Sequence, residues 1–111
     1  MNIQVSEIKW SETEDKIARR AFDIAYERET LALIEGVRAK ASAIAKLDDL
    51  WHLNDILSSK RYEIDGKYDY SHASLIFTFA GLLQEKWINL EELEGINPDK
   101  IAKIAALSRM Q

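Results

Sequence analysis

Ser11 followed by Glu14 opens a stretch of about 35 residues in which nothing stops a helix. In such a capping box the hydroxyl accepts from the amide of Glu14 while that carboxylate reaches back to the amide of Ser11. From Ile17 the apolar positions Ala21, Phe22, Ile24, Ala25, Leu31, Ile34, Val37, Ala41 and Ile44 recur at the spacing of a helical face. Gly36 is the one internal weak point, and no proline interrupts the run before Lys46. A helix of about 35 residues is about 50 Å long. A compact domain of about 100 residues has a radius of gyration of only about 13 Å. The helix therefore overshoots its own domain. Its surplus apolar face calls for a second copy of the chain or for a bend near Gly36. The sequence favours a homodimer, because large uncovered apolar patches are uncommon on monomers. Glu12 with Lys16, and Asp15 with Arg19, read as pairs on a solvated face.

A second helix is expected over residues 47–64, with Asp48 as N-cap and Asp65-Gly66 as the stop. At about 100° per residue, Leu50, Leu53, Leu57 and Ile64 share a narrow face with Ile56 at its edge, enough to seat the helix on its own chain. Trp51, Asp55, Ser58 and Tyr62 fall on another face about 140° away, with Asn54 and Arg61 between the two. An off-stripe Trp is an ordinary surface residue when it stands alone. Trp, Tyr and Arg together are what protein interfaces use as anchors, because they combine large contact area with directional hydrogen bonds. Asp55 and Arg61 lie about 120° apart, too far round for a good pair within the helix, so any charged partner comes from another segment or chain.

Composition narrows the function classes. The chain has 111 residues, one domain's worth, and no cysteine, which excludes disulfides and thiolate metal sites and fits a reducing interior. No apolar run reaches the length of a membrane span, and the N-terminus lacks the pattern of a secretory signal, so a soluble intracellular protein is expected. A net charge of −4 without a basic run argues against nucleic acid as a partner. Four glycines, one proline and 31% charged residues describe a helical protein rather than a sheet protein.

Residues 1–10 alternate weakly and read as a short extended arm. After the Asp65–Asp69 turn, Ser71 is placed to cap a third helix whose residues Leu75 to Leu83 are apolar almost all round, with its Phe residues in the core. Asn89 with Glu92 marks a short fourth helix, and Asn97-Pro98 starts a fifth. That last helix has an amphipathic face of Ile101, Ile104, Ala105 and Leu107 or Ser108, which leaves Lys100 and Lys103 outside. The expected architecture is all-α and single-domain over 1–111: an arm (1–10), long helices of a dimerising stalk (11–64) and a small helical head (70–111).

The raw material for catalysis is thin. There are two histidines, no glycine loop ahead of a helix and no nucleophile-elbow serine. Asp48 and His52 share a helix face at i, i+4, but two ligands make a weak metal site and a solvated face accounts for both. An enzyme is not expected. Trp51 with Tyr62 also suits the lining of a small-molecule groove, ranked below a protein interface.

The segments DDLW (48–51), DILSSKR (55–61), EIDGKYD (63–69) and FAGLLQE (79–85) resemble the fluorescence recovery protein family of cyanobacteria. The similarity covers roughly residues 10–109. It implies an all-helical homodimer, without a cofactor, that binds the orange carotenoid protein mainly through that protein's C-terminal domain. It further implies faster return of the photoactivated red form to orange, detachment from the phycobilisome, and an end to energy quenching. Trp51, Asp55 and Arg61, with Lys103 in the head, are the implied partner-binding or dimer patch. Asn54 belongs to the same patch and stands where better-known members place a histidine; its amide can hydrogen-bond without carrying a proton. The resemblance leaves open whether the protein sits free in the cytoplasm or against the thylakoid surface. The alternative is a helical dimeric adaptor for a different protein, and after that a ligand-binding bundle.

Overall fold

The computed structural model describes residues 9–110. It contains four α-helices, α1 Glu12–Ser42, α2 Leu47–Lys67, α3 Leu75–Gln84 and α4 Pro98–Arg109, with a 3-10 helix Leu90–Leu93 between the last two. Among the described residues there is no strand beyond an isolated bridge between Glu94 and Ile96. The molecule measures 57 × 30 × 23 Å with a radius of gyration of 17.1 Å. It is elongated because α1 alone runs for 31 residues.

The Ser11–Glu14 capping box forms as expected, and α1 passes Gly36 without interruption. It ends at Ser42 rather than near Lys46, and residues 43–46 turn the chain back into α2. Asp48 does not cap α2. The helix begins one residue earlier, and Asp49, a turn inside it, accepts from the amides of Ala45 and Lys46 at 3.0 and 3.2 Å. Asp65-Gly66 does not stop it either: the helix continues to Lys67, whose side chain gains the buried carboxylate of Glu29 there. Ser71 is not the cap of α3, which starts after a turn over 71–74 in which the Ser74 amide donates to the Ser71 carbonyl. The Asn89–Glu92 capping box and the Asn97-Pro98 start are both present, the first opening a 3-10 rather than an α-helix. The arm expected over 1–10 lies mostly outside the described residues. Trp10 packs against the core, and its indole N–H donates to the His72 carbonyl at 3.2 Å.

The core lies at one end of the long axis. Ala18, Ala21 and Ala25 form a small-residue strip on α1 against Leu75, Ile76, Phe79 and Leu82 of α3, Ile104 of α4, and Ile88, Leu93 and Ile96 of the connecting segments. Alanines let the rest of the head approach the α1 backbone closely. Phe79 is fully buried, but Phe77 stands 55% exposed, so the phenylalanines do not all join the core. Gly81 and Gln84 follow Phe77 at i+4 and i+7, and the three share the side of α3 that the core leaves uncovered.

Polar staples close the head onto α1. Lys100, expected outside, turns inward to Glu14 at 2.7 Å, while the amides of Ser11 and Asn97 donate to the same carboxylate at 3.0 and 2.8 Å. Asp15 accepts from the Tyr70 hydroxyl at 2.8 Å and meets His72 Nε2 at 2.9 Å, while Arg19 lies over the Tyr70 ring. These residues tie the head down instead of forming a solvated i, i+4 pair. The hydrogen bonds of His72 and Tyr70 hold the Asp15 carboxyl below its ordinary range. Burial and the hydrogen bond to Asp15 push the Tyr70 hydroxyl up to about 12. Further along, Arg28 grips Glu92 through two bonds of 2.9 and 2.6 Å. α3 ends on Lys86 in the left-handed region (φ 70°), with Trp87 and Lys86 amides donating to Leu82 and Leu83.

Two predictions test this head. Burial works against ionisation of Glu14, but Lys100 and the Ser11 and Asn97 amides outweigh it and hold the carboxyl down at about 2, against 4.5 for the free group. Its stabilising contribution is therefore complete above about pH 4.5 and lost as the pH falls toward 2. Glu14→Gln is expected to cost about 3 kcal/mol at neutral pH by leaving Lys100 buried without its counter-ion. In denaturant unfolding measured from pH 2 to pH 7, that deficit shrinks on the acid side. Gly95 has φ 105°, and a Cβ there would stand 2.5 Å from Ile17 Cδ1. Gly95→Ala is expected to lower stability by about 1–3 kcal/mol, read from the unfolding midpoint.

Candidate functional site

α2 folds back along α1, so that Lys67 near its end reaches Glu29 in the middle of α1. The face turned toward α1 carries Ile56, Lys60 and Ile64. These residues line a groove of about 270 Å³ with Ala32, Leu33, Gly36 and Val37 on α1 and Trp87 at the edge of the head. The apolar stripe seats α2 on its own chain only in part: Ile56 and Ile64 face α1, but not every leucine is covered. Leu53 is buried, whereas Leu50 and Leu57 remain 44% and 38% exposed. Beyond Glu29, Leu31 and Ile34 of α1 are themselves exposed instead of packing on that stripe.

The opposite face of α2 is open. Trp51 is 55% exposed, and Asn54, Asp55 and Tyr62 are exposed beside it along the helix. The Arg61 side chain is 86% exposed, with Asp65 as its nearest carboxylate at 3.7 Å. Asp55 and Arg61 do not pair. Trp51, Asn54, Asp55 and Arg61 thus come together on one helix, whereas exposed Lys103 is carried separately by α4. Among the described residues no hydrogen bond or ion pair joins Lys103 to the others. This surface offers stacking area, an amide, a carboxylate and a guanidinium, which is binding chemistry. Exposed Phe77 on α3 adds an aromatic that the sequence was expected to place in the core.

Lys67 also escaped the sequence reading, because a lysine at a helix end is normally solvated. Its ammonium meets Glu29 at 2.7 Å, Glu85 at 2.8 Å and Glu63 at 3.6 Å. Burial opposes its charge, but the hydrogen bonds it donates to Glu29 and Glu85 outweigh that and raise its pKa above the ordinary lysine value. The Tyr68 hydroxyl donates to the other Glu29 oxygen at 2.8 Å, and burial followed by that contact raises its pKa strongly. Glu29, Glu63 and Glu85 have carboxylate oxygens within 4.8 Å of one another, a spacing that would suit a cation. The lysine ammonium already supplies the positive charge. Asp48 and His52 are exposed and take no part in that cluster.

Among the described residues no helix is long and apolar enough to cross a membrane. A family model described as photoprotection regulator fluorescence recovery protein matches residues 10–108. The chain is 47% identical over 108 residues to the fluorescence recovery protein of Synechocystis sp. PCC 6803, covering 97% of this chain and 99% of that protein. Its fold is similar to the structure of the Fremyella diplosiphon fluorescence recovery protein, with a TM-score of 0.90 and 51% identity over 92% of this chain and 100% of that one. The Synechocystis sp. PCC 6803 structure gives a TM-score of 0.88 and 48% identity over 91% of this chain and 99% of that one. With sequence and all-helical fold in agreement over nearly its whole length, the chain belongs to the fluorescence recovery protein family of photoprotection regulators.

Proposed function

We propose that this chain speeds the return of the photoactivated red orange carotenoid protein to its orange form. In doing so it detaches that protein from the phycobilisome, ends quenching and restores antenna fluorescence. The observation that carries this reading is family membership spanning residues 10–108. An exposed surface of the right chemistry on α2 supports it. Trp51, Asn54, Asp55 and Arg61, with Lys103 on α4, contact the partner, mainly its C-terminal domain, or the second copy of this chain.

The helper works as a homodimer, with residues 11–64 as the dimerising stalk and 70–111 as the head. Exposed Leu31 and Ile34 on α1, and Leu47, Leu50 and Leu57 on α2, support that arrangement. They are large apolar groups that an isolated subunit leaves wet. No bond is made or broken by the helper. It need only bind the closing-competent form, or the barrier between red and orange, more tightly than the resting red form. Each tenfold gain in rate asks for about 1.4 kcal/mol of that difference.

The test is absorbance recovery in the dark after photoactivation, with and without the chain. Wild-type protein is expected to accelerate the return to orange. Trp51→Ala and Arg61→Leu are expected to lose most of that effect while keeping their helical content, since both side chains lie largely outside the core. Unchanged kinetics in folded variants would remove those two residues from the patch. Absence of acceleration by the wild-type chain would remove the partner, and monomer alone in sedimentation at micromolar concentration would remove the dimer.

A further inference from the structure

α2 carries most of the proposed patch, yet it is fastened to its own subunit at few points. Leu53 is its one buried residue. Ile56, Lys60 and Ile64 face α1 across open space of about 270 Å³ instead of interlocking with it. Among the described residues, every side-chain hydrogen bond that ties α2 to another helix or to the segment after α3 is donated by Lys67. Its partners belong to different parts of the fold. Glu29 is on α1, Glu85 follows α3, and Glu63 lies one turn back on α2. Glu85 also accepts from the Trp87 indole at 3.0 Å, which fixes the carboxylate that Lys67 must find.

We propose that Lys67 is a positioning residue, a three-carboxylate clasp that sets the angle between α2 and the α3–α4 head. It thereby sets where the α2 patch stands relative to Lys103, without touching the partner itself. This rests on the reading of Trp51, Asp55, Arg61 and Lys103 as one surface split between two elements. A split surface binds well only if its halves are held in place before the partner arrives. An ammonium suits the task because it has three donors and three carboxylates surround it. Its removal leaves three carboxylates converging within 4.8 Å with no cation between them, since the Tyr68 hydroxyl on Glu29 and the Trp87 indole on Glu85 bring hydrogen bonds but no charge. The junction then opens while the alanine-lined core stays as it was.

The chain has no cysteine, so two can be placed at will. Spin labels at Ser59→Cys on α2 and Ala106→Cys on α4, both exposed positions, report the angle as a distance distribution. The labelled chain is diluted into excess unlabelled protein so that only distances within one subunit are read. A single narrow peak is expected for the parent and for Lys67→Arg. Lys67→Met is expected to lose that peak to a broad, shifted distribution while circular dichroism still reports the parent's helix content. If Lys67→Met does not fold, Glu29→Gln/Lys67→Met removes the charge conflict and takes its place, with the same broadening expected. A narrow, unshifted peak in either folded variant overturns the proposal. So does loss of fold in both, which would make the lysine part of the folding core. In the recovery assay, Lys67→Met is expected to lose acceleration that Lys67→Arg retains, and equal acceleration by the two also overturns the positioning role. Failure of the wild-type chain to accelerate recovery sinks the partner reading alone and leaves the distance measurement standing.

Discussion

One buried stripe of α1 governs the molecule: Glu14, Ala18, Ala21, Ala25 and Glu29. Three alanines in the middle admit the head, and a carboxylate at each end must be satisfied once the head has excluded water. Each finds a lysine from a distant part of the chain, Lys100 from α4 for Glu14 and Lys67 from α2 for Glu29. Buried ion pairs are weak evidence for net stability, because desolvation consumes most of the Coulombic gain. Their value lies in geometry. An unpaired carboxylate at either site is so unfavourable that α4 and the end of α2 have one acceptable register on α1.

Between those fixed ends the molecule divides its labour unevenly. The N-terminal half of α1 is consumed by the head, whose apolar cluster is complete within one subunit. The C-terminal half of α1 and most of α2 keep large apolar side chains in water, including Leu31, Ile34, Leu50 and Leu57. A helical hairpin of this kind cannot pack itself dry, because two helices can bury only the faces that meet. The elongated shape and the unfilled groove follow from the same shortage of covering groups. An open α2 is what makes its outer face available for recognition.

The proposed interaction surface and the Lys67 carboxylate cluster sit on the same helix but use different chemistry. Outward, an indole, an amide, a carboxylate and a guanidinium stand in solvent, where each is free to be desolvated by a partner. Inward, Lys67 and Tyr68 are already committed to Glu29. Rigid support beneath an exposed patch lowers the ordering cost of binding.

The sequence by itself determined the helices and several of their ends. Helical periodicity, the Ser11–Glu14 and Asn89–Glu92 boxes and Asn97-Pro98 are local signals, set by backbone groups only a few residues apart. It also separated the Trp51–Arg61 surface from the apolar stripe, since both lie on a single helix and follow from its turn angle. Tertiary structure decided whatever depended on residues far apart in the chain. It turned Lys100 inward, drew Asp15 to His72 and Tyr70, exposed Phe77, left Leu50 and Leu57 uncovered and carried α2 through Gly66 to Lys67. A lysine, a phenylalanine or a helix-end glycine looks the same in sequence whether or not a distant carboxylate or apolar wall is waiting for it. The energy that chooses between those outcomes belongs to desolvation and packing, which exist only once the chain has folded.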